Sequence, residues 1–136
     1  MLLDVLEHVR DPVAFLNRVR LLLKKNSICF IVTPSLDSWS ARLLGRHWME
    51  YKPEHLFYFN RKNIQNMLVD TGFGRPIVSS NWKILNLEYI DLHMQKFHVP
   101  IFSTLSKCFV KSLPQKWRDH NFGIVASGMN VMASVD

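Results

Sequence analysis

The strongest constraint on this chain is an adjacency: an amphipathic helical pattern runs directly into an apolar, β-branched run that proline stops. Asp11 is placed to cap a helix and Pro12 to be its first residue. Leu16, Val19, Leu22 and Leu23 then follow at helical spacing. Arg18, Arg20, Lys24 and Lys25 fall toward water or the negative end of the helix dipole, and Asn26 can close the helix. The next residues, "SICFIVTP" (Ser27 to Pro34), predict a central strand buried on both faces. A helix feeding such a strand signals an α/β unit.

The rest of the chain continues the alternation. Ser38 to Leu44 predicts a short helix ending at Gly45. Arg61 to Thr71 predicts a second amphipathic helix, with Ile64, Met67 and Leu68 inward and Gly72 as its left-handed terminator. "PIVSSNW" (Pro76 to Trp82) reads as a strand, and Phe122 to Val135 as a strand or hairpin. Between them, Leu85 to Arg118 is mainly helical in pattern, interrupted at Pro100 and Pro114. With 136 residues and no internal repeat or low-complexity linker, one domain is expected.

Several function classes recede on composition. The formal charge is +6, but the basic residues are dispersed and form no block of like charge. A solvated surface is therefore favoured over a nucleic-acid interface. The two cysteines, Cys29 and Cys108, make no metal or redox spacing, and Cys29 fits a small buried hydrophobe. No apolar stretch approaches the ~18 residues of a membrane-spanning helix, and no signal-peptide architecture is visible. A cytoplasmic, reducing compartment is the simplest expectation. His93, His98 and His120 lack ligand spacing, and no Gly-x-Ser-x-Gly elbow supports a serine hydrolase.

The ordered set "DVLEHVRDP", "LLLKKNSICFIVTP" and "RLLGRHWMEYKPEHLFYFNRKNIQNMLVDTGF" resembles the C-terminal half of class I S-adenosylmethionine-dependent methyltransferases. The nearer group acts on small molecules and includes ubiquinone-pathway O-methyltransferases and enzymes of sugar and polysaccharide modification. The resemblance covers residues 1–82, and 122–135 in general character. It implies a doubly wound, Rossmann-like α/β sheet in which this chain supplies the end of strand four, then strands five, six and an antiparallel seven. Residues 1–136 would form a single partial domain, with 85–118 a helical insertion or lid.

The same resemblance implies S-adenosylmethionine as methyl donor. In the family a glycine-rich turn and an acidic residue, both in the N-terminal half, grip that cofactor. Here Gly45, Gly72, Gly74, Gly123 and Gly128 form no strand–Gly-x-Gly–helix turn, so the cofactor-binding residues are not identified in this chain. The expectation is a truncated fold that does not hold the cofactor alone. A completing polypeptide or a second copy would pair with the exposed strand-four edge.

Candidate site residues cluster at two places. Asp4, Glu7 and His8 lie at a strand's carboxyl end, where doubly wound sheets bind ligands. Methyl transfer needs alignment and often a base for the acceptor's proton; His8 is the natural base, with Glu7 beside it. Asp4-x-x-Glu7-His8 also resembles an acidic-x-x-Glu-His arrangement that places a divalent cation in some ubiquinone-pathway enzymes. A purely structural role, capping the following helix, is the remaining alternative. Trp48, Tyr51, His55 and Tyr58 could wall the pocket of a small-molecule acceptor, or simply pack their loop over the core. Ile101 to Leu113 forms a basic amphipathic pattern suited to a lid or to a membrane surface. The expected function is methyl transfer to a small acceptor when the fold is complete; the alternative is an inactive remnant serving as an interaction module.

Overall fold

The computed structural model describes residues 1–87, 91–92, 110 and 112–135. They fall into two compact units, one of Met1–Asn81 with Ala126–Asp136 and one of Trp82–Val125. Among the described residues the elements are β1 (Leu2–Leu3), a 3₁₀ turn at Leu6–His8, α1 (Pro12–Leu22), β2 (Ile28–Pro34), α2 (Trp39–Leu44), a 3₁₀ turn at Gly45–His47, α3 (Arg61–Asp70), β3 (Ile77–Asn86), α4 (Gln115–Arg118) and β4 (Asn121–Ser134).

The strands form one mixed sheet in the order β1-β2-β4-β3. β1 is parallel to β2, with Leu2 opposite Ile31 and Leu3 opposite Val32. β4 is antiparallel to β2, from Ile28 opposite Ser134 to Pro34 opposite Gly128. Parallel neighbours need a crossover, and α1 supplies it. The α/β class expected from the helix–strand adjacency is therefore what folds.

Local chemistry sets the element ends. Asp11 Oδ1 accepts a hydrogen bond from the Ala14 amide at 2.9 Å, and Pro12 takes the first helical position, where no N–H is needed. At α3 the Asn60 and Asn63 side chains each accept from the other's backbone amide at 2.8 Å, a reciprocal box. Gly72 follows α3 with φ of 81°, in the left-handed region, as its place after the helical pattern predicted. Arg20 Nε donates to the Gly72 carbonyl at 2.6 Å, and a Cβ added at Gly72 would lie 2.9 Å from that nitrogen. The end of α3 is thus clasped to α1 in a way only glycine permits.

In the first unit, Leu16 of α1 and Ile64 and Leu68 of α3 share one core with Cys29 and Ile31 of β2 and with Met129, Val131 and Ala133 of β4. Burial pushes the Cys29 thiol up from its ordinary value. The opposite face of β2 is not covered in the same way: Ile28 is 65% exposed, and Phe30 and Val32 are half-buried. A strand buried on both faces was expected, and the structure buries one. An unbroken apolar run carries no period-2 signal, so it does not reveal whether one face or two are covered.

β3 extends to Asn86, so the region expected to be helical from Leu85 begins later. In the second unit α4 follows Pro114, whose carbonyl accepts from the Trp117 amide at 2.9 Å, and Trp82 and Trp117 are exposed. Most of Ile101 to Leu113, together with His93 and His98, lies outside the described residues. Among the described residues no helix is long and apolar enough to cross a membrane.

Candidate active site at the carboxyl end of β1

The chain leaves β1 through Asp4, whose amide donates to the Val32 carbonyl at 2.9 Å while its φ of 49° turns the backbone out of the sheet. The 3₁₀ turn that follows drives Leu6 into the core and carries Glu7 down with it, to 1% exposure. The Glu7 carbonyl then accepts from two amides of a distant loop, Leu56 at 2.8 Å and Phe57 at 3.2 Å. His8 Nδ1 lies 2.8 Å from the Glu54 carbonyl. These three bonds clamp the loop around His55 onto the turn that carries Glu7 and His8.

The clamp fixes the proton arrangement of one histidine. A carbonyl oxygen can only accept, so His8 Nδ1 carries the proton and, in the neutral ring, Nε2 keeps its lone pair free. His8 is exposed and its ring meets that of His55 edge-on, 4.8 Å between centroids. Glu7 Oε2 accepts from Thr33 Oγ1 at 2.9 Å, both residues buried. Glu7 Oε1 and His55 Nδ1 are buried with no hydrogen-bond partner among the described residues. His55 is only 8% exposed. A buried polar atom without a partner costs about 1–3 kcal/mol, and two here share one corner.

A carboxylate oxygen of Glu7 and a ring nitrogen each of His8 and His55 lie within 4.8 Å of one another. Asp4 is exposed and stands outside this group. Of the acidic-x-x-Glu-His pattern, the structure therefore brings together Glu7 and His8 and adds His55, while Asp4 is used for the backbone turn.

The aromatic candidates form a chain of rings. His55 lies 6.1 Å from Tyr58, Tyr58 5.0 Å from Tyr51, and Tyr51 5.3 Å from Trp48, the last two contacts edge-on. Trp48 is 2% exposed and its indole N–H donates to Ser40 Oγ at 3.2 Å. Tyr58 donates to the Lys52 carbonyl at 3.3 Å, and Tyr51 is 47% exposed. Trp48 thus packs under the loop, whereas His55 and the two tyrosines lead from the acidic corner toward the surface. Glu50 Oε1 accepts from Ser127 Oγ at 2.7 Å and Glu50 pairs with Lys52 at 3.2 Å, fastening the same loop to β4.

Sequence reasoning missed Thr33. Its signal was the alternation of Cys29, Ile31 and Thr33, which puts a hydroxyl on the buried face at the strand's carboxyl end, where it must find a partner. The turn from β1 to α1 and the turn from β2 to α2 contain no glycine, and Gly45 and Gly72 follow helices. The glycine-lined approach by which a cofactor's charged end reaches backbone is thus not found in either turn.

A parallel crossover, helices on a mixed four-stranded sheet and polar groups gathered at a strand's carboxyl end define an α/β protein. Residues 1–74 match the family model for the methyltransferase domain, and the chain belongs to that family. It is similar to the ubiquinone biosynthesis O-methyltransferase of Pelagibacter ubique (strain HTCC1062), at 28% identity over 99 residues, covering 62% of this chain and 41% of that protein. In fold it is similar to a SAM-dependent methyltransferase of Thermotoga maritima, with a TM-score of 0.57 at 11% identity over 98% of this chain and 53% of the other. Phosphoethanolamine N-methyltransferase 2 of Haemonchus contortus, solved with S-adenosyl-L-methionine, gives a TM-score of 0.53 at 15% identity over 98% of this chain and 32% of the other. The chain therefore spans well under two thirds of the length of these relatives.

Proposed function

We propose that this chain supplies the acceptor side of a methyltransferase that moves the methyl group of S-adenosylmethionine to a small molecule. The carrying observation is the convergence of Glu7, His8 and His55 at the carboxyl end of β1 in a member of that family. In the reaction an acceptor lone pair attacks the methyl carbon in line, the carbon–sulfur bond breaks, and the sulfonium becomes a neutral thioether. The acceptor's proton goes to His8 Nε2, which the Glu54 carbonyl keeps unprotonated in the neutral ring. Glu7, fixed by Thr33, places negative charge beside the imidazolium that forms. Tyr51, Tyr58 and His55 border the acceptor's body, with Trp48 packed behind them.

The sheet order, with antiparallel β4 between β2 and β3, supports reading the strands as four, five, seven and six of the family's seven. The glycine-free turns support a donor grip located in polypeptide outside this sequence. The outer edge of β1, unpaired among the described residues and carrying Leu3 at 48% exposure, is where that polypeptide or a second copy would join. The same unpaired edge favours the second reading, a remnant that acts as an interaction module.

Tritium transfer from methyl-labelled S-adenosylmethionine to small hydroxyl and amine acceptors tests the reading. The assay uses the polypeptide containing these residues together with its donor-binding part. His8→Ala should lower the rate by about 10²–10⁴-fold. A rate unchanged in both His8→Ala and Glu7→Gln would overturn it. Calorimetric titration of S-adenosylmethionine into residues 1–136 alone should give no saturable heat; one-to-one binding would contradict the external donor grip.

A further inference from the structure

The loop that covers Glu7 hangs between two fixed points. Trp48 is buried at one end, and at the other Phe59 is buried and its carbonyl accepts from the Leu36 amide at 2.9 Å. Between them the chain bonds chiefly to itself. The Lys52 carbonyl accepts from the His55 amide at 3.0 Å and from the Tyr58 hydroxyl at 3.3 Å, and the Tyr51 and Tyr58 rings meet edge-on at 5.0 Å. We propose that residues 50–58 form a gate over the buried corner of Glu7 and His55, and that the His8 ring is its latch.

Three hydrogen bonds close the gate on the β1 side. The Leu56 and Phe57 amides donate to the Glu7 carbonyl at 2.8 and 3.2 Å, and His8 Nδ1 donates to the Glu54 carbonyl at 2.8 Å. Leu56 and Phe57 are themselves exposed, so apolar burial of their side chains holds the gate only weakly. Against those bonds stand Glu7 Oε1 and His55 Nδ1, buried with no partner among the described residues. Opening the gate lets water reach both atoms. The penalty of two orphaned buried atoms is of the same order as the net gain of three hydrogen bonds, so the closed state is finely balanced. A ligand that donates to Glu7 Oε1 removes part of that penalty and shifts the gate toward closure.

Of the three bonds, two join backbone to backbone and one is made by a side chain, that of His8. Nδ1 is a donor in this neutral tautomer and in the imidazolium alike, so the latch survives proton uptake at Nε2. The inference concerns the loop alone and stands whether or not His8 takes a proton from an acceptor.

Hydrogen exchange of the Leu56 and Phe57 amides, read by NMR on the full chain without donor or acceptor, tests the latch. His8→Ala should speed both by about 2–10-fold, the range one net hydrogen bond represents. The Gly74 amide, bonded to the Ser134 carbonyl away from the loop, should keep its rate. His8→Asn should exchange like the wild type, because its side-chain N–H stands where Nδ1–H of the ring stood. Carbethoxylation of His55 by diethyl pyrocarbonate, followed by mass spectrometry, reads the opening itself. It should be slower than at exposed His47 in the wild type and rise with amide exchange in His8→Ala. Wild-type exchange in His8→Ala would overturn the latch, as would Gly74 quickening in step with the loop or His8→Asn behaving like His8→Ala. His55 labelling that stays at the wild-type rate while the two amides quicken would overturn the gate. Loss of methyl transfer with these exchange rates as expected would overturn only the functional reading.

Discussion

Two neighbouring turns leave the same end of the sheet, one after β1 and one after β2, and they use their polar side chains in opposite ways. After β2, Ser35 Oγ accepts from the Asp37 amide at 3.2 Å, Ser38 Oγ from the Ala41 amide at 3.2 Å, and Asp37 Oδ2 from the Arg61 amide at 2.8 Å. Each of those groups closes the backbone of a loop or a helix end. After β1, Glu7 is buried deeper than any of them, yet one of its carboxylate oxygens and the His55 Nδ1 have no hydrogen-bond partner among the described residues. Burial without a partner is unfavourable, and under the proposed function the β1 turn is where the chain holds such polar atoms for the reaction.

The comparison can be broken by substitution. The largest effect is expected at Glu7→Ala, where methyl transfer should fall by about 10²–10⁴-fold in the tritium assay, with loss of the buried charge beside the His8 imidazolium. Thr33→Val should cost about 1–3 kcal/mol in urea unfolding, because Glu7 Oε2 is then buried without its donor, and Thr33→Ser should recover it. Ser38→Ala in the other turn should cost about 1 kcal/mol as a lost helix cap. The methyl-transfer rate should not change with it. A Ser38→Ala variant that lost transfer while keeping its fold would erase the distinction between the turns.

Much of the scaffold was legible because its signals are local. Asp11-Pro12 announced the start of α1, Gly72 the end of α3, and the spacing of Ile64 and Leu68 the buried face between them. Glu7, His8 and His55 could each be named from residue type and position. Their meeting could not, since it depends on backbone bonds from Leu56 and Phe57 to the Glu7 carbonyl, and a backbone amide has no signature in a side-chain pattern. Asp4 shows the converse: a carboxylate at the expected spacing is directed elsewhere by its left-handed φ, which the sequence does not display. The half-open face of β2 was hidden for a related reason, because an unbroken apolar run looks the same with one face covered or two.

Equilibrium urea unfolding of Glu7→Gln against the wild type is the most direct measurement. Glutamine keeps an oxygen for the Thr33 hydroxyl and replaces the unpartnered carboxylate oxygen with an uncharged amide. If Glu7 is held for function, stability should be unchanged or higher, by up to about 1–3 kcal/mol, as the buried charge is removed while methyl transfer is lost. A loss of about 3–5 kcal/mol would show instead that the Glu7 charge is part of the structure, and would contradict the reading of the β1 turn as an active site.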